Sequence, residues 1–599
     1  MSTLKSFLGG VFFGVLLALT PGCGPAKCSP STCSGCCDTA GKCQLGTTAE
    51  ACGQPGNTCQ ACFIGQVCSS GLCGTTGLGG GSGGGDVGGG TGGSGGSGGG
   101  ATGGSAGGGS GGSGGSAGGG AGGGNTGGSA GGGTGGSGGG TAGPGDVTGT
   151  GTRTFLLADG GTTSDQPNLS TSQVGAWITL DGGLVYRMGT GQTNGTFVIP
   201  NVPQGPYLLR LNSTFYATST RAVNLDFDTV GRPNAMPATI DPTDLTFNVS
   251  GLNPWEDYNY LSLISFNAGQ SDLVGFEYYG TLAPTFGATS YAGTLNYFLY
   301  SNAFGSALID SAQGDVAYLV QHDYVVDGGV GISNPVRSME VSSLSMADGQ
   351  LSTITGVLAA PPTTSFTYDY RAADFRVAAT QLNAGTTSFF FGTLYQTPHA
   401  RQSTVDSFAQ TLYWYAYEPS APPTTLAVGL PYGASWSTVA YVGYGTETPR
   451  TLPNATPMRF NSQFISIITL QALISAPVQP VLGPPVTARI NGSDLLVDQS
   501  GVGTTPTLTW GAPTLGTPQR YRAKVDRLGI SNGATRVAAT FTFDTAGTSV
   551  TFPPGLLVAG QTYVITLSAY QTGGVVDPGF FNYRLPYHAT NLVSGLIRP

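Results

Sequence analysis

Charge is scarce in this 599-residue chain: Asp, Glu, Lys and Arg make up only 9% of it, against about a quarter in ordinary soluble domains. The net charge is −9, so there is no basic field to neutralise phosphates, and nucleic acid is excluded as a partner. Histidine is almost absent. His322, His399 and His588 are the only three, none has a neighbour at metal-ligand spacing, and there is no His-Glu-x-x-His. Cysteine stops at Cys73, which excludes a thiol nucleophile from everything after it. No apolar run reaches the roughly 20 residues of a membrane-spanning helix. Amphipathic helical patterns are nearly missing too; the best is a weak stretch from Thr404 to Leu412.

What the chain does have is unevenly placed. All 11 cysteines fall between Cys23 and Cys73, and Gly supplies 46 of the 77 residues from 74 to 150. All but four of the aromatic residues, Phe7, Phe12, Phe13 and Phe63, lie beyond residue 150. The chain therefore divides into an export segment, a cysteine module, a glycine tether and an aromatic-rich body able to bury apolar area. Lys5 followed by the apolar run Phe7–Leu19 describes a secretory signal over residues 1–22. The ending Leu19-Thr20-Pro21-Gly22-Cys23 resembles a bacterial lipobox. The resemblance implies that Cys23 carries lipid and begins the mature chain, and Gly24 after it implies the outer membrane. The alternative is plain secretion to the extracellular space with Cys23 as a free or paired thiol. Parity agrees with lipid, because ten cysteines remain to close bridges.

Those ten are Cys28, Cys33, Cys36, Cys37, Cys43, Cys52, Cys59, Cys62, Cys68 and Cys73, within the module 23–73. So small a segment needs staples to fold. Two Cys-x2-Cys pairs, Cys33/Cys36 and Cys59/Cys62, raise zinc, but export to an oxidising compartment predicts disulfides and no metal. Spacing does not give the pairing. Adjacent Cys36 and Cys37 are expected to bond different partners. Residues 74–149 read as a disordered tether with an end-to-end distance near 50 Å and a reach of roughly 250 Å. Together with the predominance of Arg over Lys, this layout resembles myxobacterial surface lipoproteins with Cys-rich N-terminal modules.

In the body the dominant period is two. Met339 and Val341 alternate with Glu340 and Ser342, and Phe541 and Phe543 with Thr540, Thr542 and Asp544. Leu295, Tyr297 and Leu299 read as a strand apolar on both faces. Asp181-Gly182, Asn194-Gly195, Asp327-Gly328, Asp348-Gly349, Asn491-Gly492 and Asn532-Gly533 are turn signals. The expected fold class is all-β, with multiple sandwich domains. Residues 150–238, through Thr193–Ile199 and Val202–Tyr207, resemble a carboxypeptidase regulatory-like or Cna-B-like domain, which implies a prealbumin-like sandwich without peptidase chemistry. Residues 484–599, through Pro506, Leu508, Trp510, Pro513, Tyr521, Leu556, Gly560, Tyr563 and Ala569, resemble fibronectin type III. That resemblance implies Trp510 between the sheets and Tyr563 closing a strand corner. Residues 239–483 are a large all-β region: two sandwiches, one large sandwich or a propeller.

Candidate chemistry is sparse, and no cofactor is expected. His322-Asp323 offers two members of a triad, but no Ser stands in a nucleophile elbow. Carboxylates in 239–483, among them Glu256, Asp257, Asp369 and Asp374, could serve glycoside hydrolysis. The run Trp255-Glu256-Asp257-Tyr258-Asn259-Tyr260 could equally be a ligand platform for sugars, or a loop whose rings pack on a strand. Asp226 and Asp228 alternate on one strand face and could bridge calcium. Tyr413-Trp414-Tyr415-Ala416-Tyr417 has rings on both faces, as core or as an exposed patch. The expectation is a lipid-anchored, non-enzymatic binding, adhesion or envelope-structural protein. Its partners would be the membrane, through the lipid, and a polysaccharide or another surface protein. The alternative is an exported carbohydrate-active hydrolase.

Overall fold

The computed structural model describes residues 145–599 apart from 257, 270–283, 305, 383–386, 402–408, 532 and 575–583, and short stretches before them (33, 36–37, 42–44, 47–48, 51–52, 66–69 and 72–75). The fold is all-β. Met1–Gly77 and Leu78–Pro599 are two compact units. In the first, Cys33 is disulfide-bonded to Cys43, and Cys36 and Cys37 are disulfide-bonded as well. Strand Gln66–Ser69 pairs with Leu72–Thr75, which sets Cys68 directly opposite Cys73. Cys52 ends the two-residue strand Ala51–Cys52. Cys23, Cys28, Cys59 and Cys62 lie outside the described residues, as does most of the expected tether, whose last residues belong to the strand Gly145–Leu156.

The second unit is organised around one 17-stranded sheet. From Tyr260–Ile264 it runs antiparallel through Ala317–Asp327, Val330–Val341, Gln410–Tyr417, Thr387–Thr397, Ser437–Arg450 and Met458–Thr469. Met458–Thr469 then pairs with Tyr587–Val593, and the sheet continues through Thr562–Thr572, Arg520–Ser531 and Ala534–Thr545. A parallel pairing of Ala534–Thr545 with Thr214–Thr218 carries it into the first part of the body. The three stretches 150–238, 239–483 and 484–599 thus share one hydrogen-bonded sheet. Their strand edges, which would otherwise expose unpaired amides and carbonyls, are spent on each other.

Strand alternation gives this sheet two different faces. One face is covered by three small sheets in succession. Asp244–Ser250, Ser290–Asn296 and Leu351–Val357 bury Leu245, Phe247, Tyr291, Leu295 and Ile354 against Leu261, Leu263 and Leu319. Thr363–Thr367 and Thr425–Gly429, with helices Ala372–Ala379 and Leu470–Ser475, cover Phe390, Leu412, Trp414, Val442 and Phe464. The four-stranded sheet that includes Val486–Ile490 and Thr507–Gly511 packs Leu508 and Trp510 over Tyr521, Val525, Tyr563 and Ile565. The region 239–483 therefore holds two cores, one around Leu319 and one around Trp414. A further core lies around Val147, Ile178, Phe197, Ile199, Leu209 and Tyr216. It is built from Gly145–Leu156, its parallel partner Ala222–Val230 and the strands facing them.

Turn chemistry places the hairpins. Asp181 (φ 50°) and Gly182 (φ 81°) join two strands, as do Asn491 (φ 49°) and Gly492 (φ 85°), the left-handed pair that matches strand twist. At the tip after Asp327 the positive-φ residues are Gly328 and Gly329, one position beyond the expected pair. One expected strand is corrected. The pairing of Ser290–Asn296 ends at Asn296, and Tyr297–Phe304 is an α-helix. A run apolar at every position carries no period of its own, and the Asn296 side chain accepts from the Leu299 amide to start the helix. The expected weak helix 404–412 falls mostly outside the described residues, and its end is the strand Gln410–Tyr417.

Candidate binding surface

On the face opposite the Trp414 core, the same strands present a row of aromatic rings. Gln410–Tyr417 turns Leu412, Trp414 and Ala416 inward and Tyr413, Tyr415 and Tyr417 outward. Register sets Phe389 opposite Tyr417 and Phe391 opposite Tyr415 on one side, and Gly331 opposite Tyr415 on the other. Ring centroids follow at 5.6 Å from Tyr413 to Tyr415, 5.2 Å to Tyr417 and 6.0 Å on to Phe389. Tyr324 joins through its hydroxyl, 2.6 Å from that of Tyr415, and Tyr258 stands edge-on to Tyr324 at 5.9 Å. Tyr258 is 74% exposed and Tyr417 42% exposed, while Tyr324, Tyr413, Tyr415 and Phe389 are half-buried.

Glycines let these rings lie close over the sheet. A Cβ on Gly331 would come within 2.7 Å of Tyr415 Cε1 and nearer still to the Tyr324 hydroxyl; one on Gly445 would lie 2.8 Å from Phe389 Cζ. Burial, then the hydrogen bond to Tyr415, raises Tyr324 above the usual phenol range, so it stays an uncharged donor and acceptor. Tyr417 is raised by burial and then by the charge of Glu447, which is ion-paired with Arg459. Tyr258 holds φ 70°. Most other non-glycine residues in that region are Asn or Asp, which tolerate it; a tyrosine occupies it only at a cost.

The expected platform is split by the fold. Trp255 is buried in the core around Leu319. Tyr260 is buried, its ring stacked on His322 at 4.6 Å and its hydroxyl bonded to Ser333 at 2.7 Å. Neither ring can present a face to a ligand. Glu256 is exposed, Asp257 lies outside the described residues, and Tyr258 alone contributes an open ring. The sequence shows the Tyr-x-Tyr-x-Tyr alternation of 413–417, but not that Tyr324 and Tyr258 complete the row, because strand register brings them there.

Most of the titratable residues have structural partners instead of a shared site, whereas neither ring nitrogen of His322 meets a hydrogen-bond partner among the described residues. His322 and Asp323 point to opposite faces of their strand. His322 is fully buried, and burial holds its pKa well below the usual range; Asp323 accepts from Asn253. His399 bonds the Leu157 carbonyl at 3.0 Å. His588 Nδ1 shares a hydrogen bond with the Ser466 hydroxyl, 2.9 Å away, and burial alone lowers its pKa to about 4. Asp228 holds Arg401 Nη1 at 2.9 and 3.1 Å from its two oxygens, so an arginine stands where calcium was considered. Asp369 pairs with Arg371, and Asp374 lies in the first turn of an exposed helix face. No cluster of three His, Cys, Asp or Glu suited to a metal occurs among the described residues. The chain matches no known protein-family model and no curated protein.

Proposed function

We propose that this chain is a non-enzymatic binding protein of the cell surface, with an adhesive or envelope-structural role. Lipid on Cys23 holds it to the outer membrane, and the glycine-rich segment gives the body reach. The observation that carries the proposal is the aromatic row from Tyr258 to Phe389, in which Tyr258 and Tyr417 are exposed and the other rings half-buried. Exposed apolar and aromatic side chains gathered in one place, here Tyr258 and Tyr417 with Val325 and Val326 on the strand of Tyr324, mark a surface where something binds. The fibronectin type III-like reading of 484–599 is supported by the burial of Trp510 and by Tyr563, whose hydroxyl accepts from the Val558 amide at 2.9 Å. Both the myxobacterial kinship and the Cna-B-like reading of 150–238 belong to the same proposal.

Cys23→Ser tests the anchor. The parent should fractionate with membranes and the variant should appear in detergent-free supernatant; equal membrane retention would contradict lipid attachment. A hydrolysis screen of the full chain on polysaccharides tests the other half. No release of reducing ends is expected, and steady turnover would replace binding with catalysis.

A further inference from the structure

A cavity of about 360 Å³ lies at the margin of the Trp414 core, on the sheet face opposite the aromatic row. That volume falls within the range of small-molecule sites, roughly 300–1,000 Å³, whereas voids larger than a water are few in a packed interior. Thr364 and Phe366 line it from the strand Thr363–Thr367, and Val428 does so from the strand paired with it. The main sheet contributes Leu394 and Thr438, and Leu430, Trp436 and Leu470 complete the apolar lining. Short side chains keep the space open, because Thr364, Ala434 and Thr438 stand where larger residues would fill it. Thr364 and Ala434 are exposed and mark the mouth, while Leu394, Leu430 and Trp436 are buried. No lining residue is charged. Of the three lining hydroxyls, that of Thr411 already donates to the Leu394 carbonyl at 2.8 Å.

One buried polar group beside the cavity lacks a partner. Gln396 shares a strand face with Leu394 and stands directly opposite Thr438, and it is fully buried. Its Nε2 donates to the carbonyls of Gly433 at 3.3 Å and Trp436 at 3.2 Å. Two carbonyls on the nitrogen fix which end of the amide is which. The other end, Oε1, meets no donor among the described residues. A buried acceptor left so costs free energy until a donor reaches it.

We infer that the cavity binds a neutral molecule of the long-chain alcohol class, its apolar body among Phe366, Leu394 and Trp436 and its hydroxyl donating to Gln396 Oε1. A carboxylate head has no proton to give and would bury a charge with no cation to meet it. The site is separate from the aromatic row and stands or falls apart from it. The test uses the full chain carrying Cys23→Ser, which keeps detergent out of the assay. N-phenyl-1-naphthylamine, a neutral two-ring molecule with one N–H, is the fluorescent probe, and 1-decanol and decanoate at pH 8 are the competitors. One saturable site is expected, with 1-decanol displacing the probe at about tenfold or more lower concentration than decanoate. Thr364→Trp, which fills the mouth, should weaken probe binding about tenfold or more at an unchanged melting temperature. Ala434→Leu, at the other exposed lining position, serves if Thr364→Trp folds poorly. No saturable binding, displacement by decanoate equal to that by 1-decanol, or undiminished binding by the filled variant would overturn the inference.

Discussion

Trp510 is 6% exposed and edge-on to Tyr521 at 5.4 Å, in the core between the two C-terminal sheets. Truncation to Ala should cost roughly 3–5 kcal/mol. Its indole N–H meets no acceptor among the described residues, so Trp510→Phe should cost much less. Thermal melts of the two variants check both; a Trp510→Ala melt within a degree or two of the parent would place the ring outside the core. The histidines set an acid limit. Burial depresses all three in the fold, whereas the unfolded chain protonates them near pH 6.5. The unfolded state therefore binds more protons below that pH, and stability is lost as pH falls from about 6.5. For His588, whose folded pKa is about 4, the loss continues down to that value and is worth roughly 3 kcal/mol. Unfolding midpoints measured from pH 7 to 4 should fall, and His588→Gln should flatten the slope; a flat profile in the parent would contradict the account.

At the scale of elements, the parallel pairing of Thr214–Thr218 with Ala534–Thr545 carries a buried charge cluster. Asp544, opposite Tyr216, accepts from Arg520 Nε at 2.5 Å and from Arg522 Nη2 at 3.1 Å, and all three side chains are nearly fully buried. Asp544→Ala would strand two buried guanidinium groups, a change that typically costs roughly 3–5 kcal/mol. A denaturant midpoint close to the parent's would show that the arginines find other partners. These elements also mark how far the sequence could be read. The strand-turn-strand units were legible because Asp181-Gly182 and Asn491-Gly492 are local chemistry, and the inward faces of Leu508–Trp510 and Tyr563–Leu567 follow from alternation alone. The helix Tyr297–Phe304 was hidden in a run without period. The joining of Met458–Thr469 to Tyr587–Val593 was out of reach, since pairing between distant segments leaves no local signature.

Over the second unit, one sheet carries three cores on one face, and on the other an aromatic row whose Phe389 packs against a further buried cluster around Phe391 and Ile465. The burial of Trp255 and Tyr260 and the openness of Tyr258 show why composition pointed to the right neighbourhood but not to the right rings. An acid–aromatic cluster in sequence says nothing of which side chain the strand turns inward. The row draws on segments that only the sheet brings together, so sequence showed it as two unconnected pieces, Tyr258 in one and Tyr413, Tyr415 and Tyr417 in the other. The most direct measurement is an equilibrium binding isotherm of the soluble Cys23→Ser chain on intact cells of its own source, compared with the same chain carrying Tyr258→Ala and Tyr417→Ala. The account predicts saturable binding by the first and binding weakened about tenfold or more in the second. Equal binding by the two, or no saturable binding by either, would contradict the claim that this face is where the protein works.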